Sequence, residues 1–405
     1  MPVLKLSLTG NTGCHQERNQ HLNNWLPVFF IKQTGGKVMN NKSMRIRMLA
    51  IVLAGLMLIA FMVTGCAPAD GDAEPAAPRA ERISIRWNTA DVGSYGYSVA
   101  SLMVELLNRE LPNKLEGYYT VTIHPFPATG AGMKAAMEGD GDIAYTADVG
   151  MTQVYAEEGA YSLEDWPGRA DADLLVHSFY AYPMETSLAV HISKADQFQT
   201  WGDLSGEPVF YTPAGFMNWL NMVRIFDALD LEFNHLEIDS GMVADALRDG
   251  SISGAAVYTT AGRSLPTYLR EAEMRLANEL VVISPSAEEQ TKLAAAGLAV
   301  LDMDPSGAFS TDVGTDMYQA VPILFAYNVM AHTPTEFVKA MLEIFEENAE
   351  QLAGWEPGFG PLANDFVGMQ VSGIRANPLI PVHPGMAEFL QDKGAWDDSW
   401  IIAEQ

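Results

Sequence analysis

Residues 83–107 read ISIRWNTADVGSYGYSVASLMVELL. Ile83, Ile85 and Trp87 alternate with Ser84, Arg86 and Asn88, the period-two pattern of a strand. A polar turn follows over 89–96, and then Val99, Leu102, Met103, Leu106 and Leu107 recur at helical spacing. Strand, turn and helix in this order point the free N–H groups of the helix start into the space above the sheet. Gly93 allows close backbone approach to a ligand there, and Ser94 and Tyr95 supply hydroxyls.

The same device returns twice. Residues 119–126 (YTVTIHPF) form a second strand, followed by Thr129-Gly130-Ala131-Gly132, a helix, a Gly-rich stop and a third strand at 142–145 that ends on Thr146-Ala147-Asp148. Residues 208–211 begin another unit, which runs through Pro213-Ala214-Gly215-Phe216 into a helix. A short helix and a strand at 255–258 follow, with Thr259 to Arg263 at the strand's polar end. Two small α/β lobes with facing loop tips enclose a cleft. Residues 174–192 and 320–331, long, apolar and each interrupted by a Pro, read as the two crossings between lobes.

Around this body the composition sets limits. The chain has 405 residues and a net charge of −27, which would repel a polyanion, so no nucleic-acid partner is expected. Residues 48–63 are uninterrupted apolar sequence, preceded by Lys42, Arg45 and Arg47 and followed by Val63-Thr64-Gly65-Cys66. The run is short for a membrane span of about 20 residues. A basic start, a short apolar run and a small-residue site make a secretory signal. Cys66 after Thr-Gly resembles a bacterial lipobox, which implies lipidation at Cys66. Residues 1–43 read as an upstream mis-start, 44–66 as the lipoprotein signal and 67–81 as a disordered Ala/Pro-rich tether. Beyond Cys66 there are 17 basic and 50 acidic residues, a net of −33, and no further cysteine, so no disulfide supports the fold.

Several local motifs lead elsewhere. Gly130-x-Gly132-x-x-Ala135 fits a dinucleotide fingerprint loosely, with Asp148 near the spacing of a ribose-binding acid. Pro125 and Pro127 at the preceding strand end oppose that reading, and no cofactor is expected. Asp302 to Gly307 is reminiscent of a calcium loop, but Val313 stands where the closing Glu belongs and Pro305 intrudes, so it reads as an exposed turn. The histidines after Cys66 form no zinc-type pair. Residues 334–352 read as an amphipathic helix opened by a capping box of Thr333 and Glu336.

Taken together, the chain resembles the TAXI-type solute receptors of tripartite ATP-independent periplasmic (TRAP) transporters, over almost all of 83–396. The matching pieces are Thr89-Ala90 with Gly93-Ser94-Tyr95-Gly96, Thr129-Gly130-Ala131-Gly132, Asp142-Ile143-Ala144 with Asp148, and Asp203-Leu204-Ser205-Gly206. Pro213-Ala214-Gly215-Phe216 is a degenerate match, whereas His383-Pro384-Gly385-Met386 with Phe389 and Gly394 is the most specific. Departures fall on loop tips, where Ala131 and Phe216 replace small hydroxyl residues. The resemblance implies a two-lobe, type II periplasmic-binding-protein fold, with lobe 1 at 82–186 plus 321–405 and lobe 2 at 187–320. It also implies a lipid-anchored, extracytoplasmic, non-enzymatic receptor that delivers its ligand to a TRAP membrane permease.

The expected ligand contacts are Gly93, Ser94, Tyr95, Thr129, Gly130, Thr146, Asp148, Pro213, Gly215, Phe216, Tyr258, Thr259 and Arg263. Helix N-termini behind the strand ends, with Arg263 as a mobile cation, point to a small organic acid. Tyr95, Phe216 and Tyr258 would cover an apolar portion. A hydrolase is the enzymatic alternative, but the chain has no Gly-x-Ser-x-Gly elbow and no cysteine after Cys66. A structural or adhesive lipoprotein would call for repeats or an exposed apolar face, and the sequence offers neither.

Overall fold

The computed structural model describes residues 82–115 and 118–405. The signal, Cys66 and the tether lie outside them. Among the described residues, no helix is long and apolar enough to cross a membrane.

The opening stretch folds as its pattern requires. Strand β1 spans Arg82–Thr89 and helix α1 spans Tyr95–Lys114, with Ser94 as its N-cap accepting from the Tyr97 N–H at 3.1 Å. Strand β2 (Tyr118–Pro125) pairs parallel with β1, and so does β3 (Ile143–Ala147). Helix α2 (Thr129–Met137) and helix α3 (Asp148–Ala156) follow their strands directly. Asn88, fully buried on β1, donates to the carbonyls of Gly132 at 3.1 Å and Asp140 at 2.7 Å, and so ties α2 and the turn after it to the sheet. Gly132 is a packing glycine: a Cβ there would stand 3.2 Å from the Thr89 carbonyl oxygen. That close approach accounts for a glycine at this position.

Beyond the two-residue strand β4 (Leu175–Val176), the first crossing is β5 (Tyr180–His191), which runs through Pro183. In the second half β6 (Val209–Phe210) pairs parallel with β7 (Gly254–Thr260). Helices α4 (Met217–Leu229), α5 (Val243–Asp249) and α6 (Thr267–Leu276) surround them. Strand β8 (Leu280–Ile283), helix α7 (Ala287–Ala295) and strand β9 (Leu301–Met303) lead to the return crossing, β10 (Tyr318–Met330), which runs through Pro322.

Strand order fixes the architecture. One mixed sheet runs β2-β1-β3-β10-β5-β7-β6. β10, returning from the second half, inserts antiparallel beside β3, and β5, leaving the first half, lies antiparallel beside β7. Each half is thus completed by the strand that crosses from the other. This reciprocal exchange is the two-lobe, type II periplasmic-binding-protein fold. β5 and β10 pair antiparallel with each other, with Pro183 opposite Leu324 and Pro322 opposite Glu185. Those prolines withhold N–H donors where the two crossings meet. A separate buried cluster, including Leu188, Trp201, Tyr211, Phe226 and Val321, belongs to the second half.

The expected long helix at 334–352 differs in two respects. It is two helices, α8 (Thr335–Glu347) and α9 (Ala349–Trp355), and Pro334 occupies the N-cap without a side-chain bond. Thr333 instead donates to the Asp142 carbonyl at 3.2 Å, and Glu336 accepts from the Tyr119 hydroxyl at 2.7 Å. Tertiary partners outbid the local capping box. The box that does form is at α7, between Ser286 and Glu289.

Two further helices, α10 (Gly360–Asn364) and α11 (Phe366–Ala376), precede the last helix, α12 (Pro384–Asp392). Here the His-Pro-Gly motif has a structural purpose. His383 caps α12 by accepting the Gly385 N–H at 3.1 Å, and a Cβ on Gly385 would collide with the Thr335 carbonyl oxygen at 2.4 Å.

Candidate functional site

Between the lobes lies a cavity of about 410 Å³, walled by both. That is within the usual small-molecule range of about 300–1,000 Å³. Its builders are the strand-to-helix turns. Four helices begin on its wall: α1 at Ser94–Tyr95, α2 at Thr129, α4 at Phe216–Met217 and α6 at Pro266–Thr267. The N-cap positions of α2, α4 and α6 are Ala128, Phe216 and Pro266, and none makes a side-chain cap. Ser, Thr, Asp or Asn would ordinarily stand there to satisfy the first N–H groups. The starts of α4 and α6 are therefore left uncapped on this wall, whereas at α2 the Gly130 N–H is already paired with the Gly215 carbonyl.

Two buried threonines belong to the same wall. Thr129 and Thr212 line the cavity at 1 % and 2 % exposure, and neither hydroxyl has a hydrogen-bond partner within the described residues. A buried polar group left unpaired is costly, about 1–3 kcal/mol, unless something else pairs it. Thr212 also has φ of 91°, in the left-handed region that a β-branched residue avoids. Backbone held this way, at about 1–3 kcal/mol, is characteristic of functional sites.

Much of the remaining wall is aromatic or thioether, with Tyr95, Tyr145, Tyr258 and Tyr268 among its members, and Asn218, Ser240 and Thr267 add uncharged polar groups. Burial pushes all four phenols above their ordinary range, so each presents a neutral hydroxyl. Gly96 makes room for the Tyr145 ring: a Cβ there would stand 2.3 Å from it. No larger residue fits at position 96 without moving that ring. Among the described residues the wall contains no Lys, Arg or His. Its charged members are Asp91 and Glu271, both exposed.

Of the thirteen residues expected from sequence, Gly93, Ser94, Tyr95, Thr129, Pro213, Phe216 and Tyr258 line the cavity. Gly130 and Gly215 meet at its edge, where the Gly130 N–H donates to the Gly215 carbonyl across the cleft at 3.1 Å. The other four lie elsewhere. Thr146 donates to the Ala326 carbonyl at 3.3 Å and accepts from Asn328 at 3.1 Å. Asp148 accepts the N–H groups of Val149 at 2.7 Å and Leu324 at 3.2 Å, which fastens α3 to β10. Burial raises the Asp148 carboxyl, with Arg224 opposing. Thr259 donates to Glu185 at 2.7 Å. Arg263 is exposed, beside the turn at Pro305–Gly307.

Sequence reasoning missed Thr212, Tyr145, Tyr268, Asn218 and Glu271. Thr212 and Tyr145 each neighbour an expected residue, so the strand ends were the right places and the side-chain direction was the missing fact. Tyr268 and Glu271 belong to α6, one element past the last turn singled out. The start of α6 at Pro266-Thr267, with Pro ahead of an amphipathic run, was the available signal.

No family profile and no curated protein matches the chain. Among solved structures it is similar to the periplasmic aliphatic sulphonate binding protein of Escherichia coli, at 17 % identity and a TM-score of 0.42 over 78 % of this chain and 91 % of that one. It is also similar to a TRAP periplasmic solute binding protein from Chromohalobacter salexigens with bound d-glucuronate, at 14 % identity and a TM-score of 0.37 over 76 % and 91 %. A putative L-cystine ABC transporter protein from Listeria monocytogenes aligns at 14 % identity and a TM-score of 0.37 over 67 % and 94 %. Strand order and the interlobe cavity by themselves define the class, a two-lobe α/β protein with a ligand-sized space where the lobes meet.

Proposed function

We propose that this chain is an extracytoplasmic solute receptor that closes on a small organic acid and delivers it to a TRAP-type membrane permease. The observation that carries the reading is that two uncapped helix N-termini, of α4 and α6, and two buried threonines with unpartnered hydroxyls, Thr129 and Thr212, stand on the wall of the interlobe cavity. Each helix end favours a negative group by about 0.3–1 kcal/mol. A carboxylate would satisfy N–H groups and hydroxyls together, while the aromatic wall covers its apolar part. Arg263, the cation expected from sequence, plays no part in this account. Closure follows from differential affinity: contacts from both lobes exist only when the lobes meet, so the ligand favours the closed form. No chemical step is involved.

A thermal-shift panel of carboxylates, sugars and polyamines tests the ligand class. A ligand at 100 times its Kd stabilises by about 2.7 kcal/mol, which for lobes of this size is a shift of roughly 5–10 °C. Movement by sugars or polyamines alone would refute the acid and leave the receptor. Arg263→Ala is the control and should leave the shift unchanged. Anchoring through Cys66 belongs to the same proposal, and Cys66→Ala should abolish lipid labelling. Equal labelling of both forms would remove the anchor from it.

A further inference from the structure

The cavity's charges are distributed unevenly, and the unevenness bears on which acids can enter. Its wall carries the uncapped starts of α4 and α6 and the buried residues Thr129 and Thr212, whose hydroxyls have no partner within the described residues. Among the described residues, the carboxyl groups on its wall are those of Asp91, from the loop after β1, and Glu271, from the second turn of α6. One comes from each lobe, and both are exposed, so they stand where the wall meets solvent.

Resting on the organic-acid reading above, we propose that Asp91 and Glu271 form an acidic rim that restricts the ligand to monocarboxylates with an apolar or aromatic body. The first carboxylate of a ligand has the helix starts and threonine hydroxyls to bind. A second has no cation within the described wall. Placed deep, it would lose its hydration against Tyr, Phe and Met side chains with no charge to compensate, and a buried unpaired carboxylate is strongly disfavoured. Placed at the mouth, it would face Asp91 and Glu271, and like charges raise the energy of the bound form. A hydrocarbon or aromatic body meets neither penalty, and Tyr95, Tyr145, Phe216, Tyr258, Tyr268 and Phe325 supply its contacts. The two rim residues act by exclusion, which is how specificity between similar ligands is commonly obtained.

Matched pairs that differ by one carboxylate test this on the full-length chain. Phenylacetate is compared with 1,4-phenylenediacetate, and hexanoate with adipate, by thermal shift and calorimetric titration, with phenethylamine and glucose alongside. Each monocarboxylate is expected to bind at least tenfold more tightly than its partner. Asp91→Asn with Glu271→Gln should narrow that gap to about threefold or less, mainly by admitting the dicarboxylate. Both positions are exposed, so the double variant should keep the wild-type melting midpoint without ligand. Equal binding within each pair by the wild type would overturn the rim and leave the acid receptor. An unchanged gap in the double variant would do the same. A response to phenethylamine or glucose alone would overturn the acid reading beneath it, and no response to any probe would overturn both.

Discussion

The Gly130 N–H and the Gly215 carbonyl meet at 3.1 Å across the cleft, one residue from the first lobe's α2 and one from the second lobe's loop. Both are glycines, so the backbones approach without side chains between them. Gly215 has φ of 90°, and a Cβ there would stand 3.1 Å from the Ala128 Cβ. Gly215→Ala therefore strains the loop by about 1–2 kcal/mol and holds the lobes apart. Ligand affinity should fall about tenfold, and small-angle scattering at saturating ligand should give a larger radius of gyration than wild type. Gly394→Ala is the control, because Gly394 has φ of 67° with open space around it. It should lose stability without losing affinity.

Thr212 combines a left-handed backbone with an unpartnered hydroxyl. Thr212→Gly removes both. Relief of strain, set against the entropy of glycine, should raise unfolding stability by up to about 1 kcal/mol. Binding should weaken roughly tenfold through loss of one hydrogen bond. Urea denaturation and titration of the same samples check the two effects. Loss of stability with unchanged affinity would count against a ligand role.

Glu185, 4 % exposed on β5, accepts from the Thr259 hydroxyl and the Gly262 N–H, yet burial pushes its carboxyl up to about 7. The folded state thus holds a proton that the unfolded chain releases near its ordinary value of about 4.3. Its contribution to stability falls as pH rises between those two values. Glu185→Gln keeps an acceptor and removes the charge. It should stabilise the protein by roughly 1–3 kcal/mol above pH 7 and change little at pH 4.5, as denaturant midpoints across pH would reveal.

His177 and His383 run in the opposite sense. His177 accepts from the Tyr180 hydroxyl at 2.7 Å and donates to the Asn377 carbonyl at 2.9 Å. His383 accepts the Gly385 N–H and donates to the Thr333 carbonyl at 2.9 Å. Both are held neutral, and burial lowers each to about 4. Their contribution is full above the unfolded value of about 6.5 and is lost as pH falls toward 4. His383→Asn keeps a capping acceptor without titrating, so it should flatten the acid limb of the stability profile. An unchanged acid limb would contradict this assignment.

The sequence alone determined the architecture, because its signals are local and repeated. Alternation at 83–88, helical spacing from Val99 and glycine-rich turns between them specify strand, turn and helix wherever the chain places them. Even the two crossings were legible, since Pro183 and Pro322 interrupt runs too long and apolar for anything but central strands. Seven of the cavity's residues were legible for the same reason: they sit at the turns.

Tertiary structure decided which way side chains face and what they meet. Thr146 and Thr259 stand at strand ends as expected, but their hydroxyls turn to Ala326 and Glu185, partners 180 and 74 residues away. Thr333 and Glu336 have the spacing of a capping box, and Asp142 and Tyr119 claim them instead. Arg263 follows β7 by only a few residues and still lies outside, because the Ala261-Gly262 turn, with φ of 52° and 60°, redirects the chain. Spacing along a chain carries no information about a partner that folding brings from another lobe, and the cavity is made of such meetings.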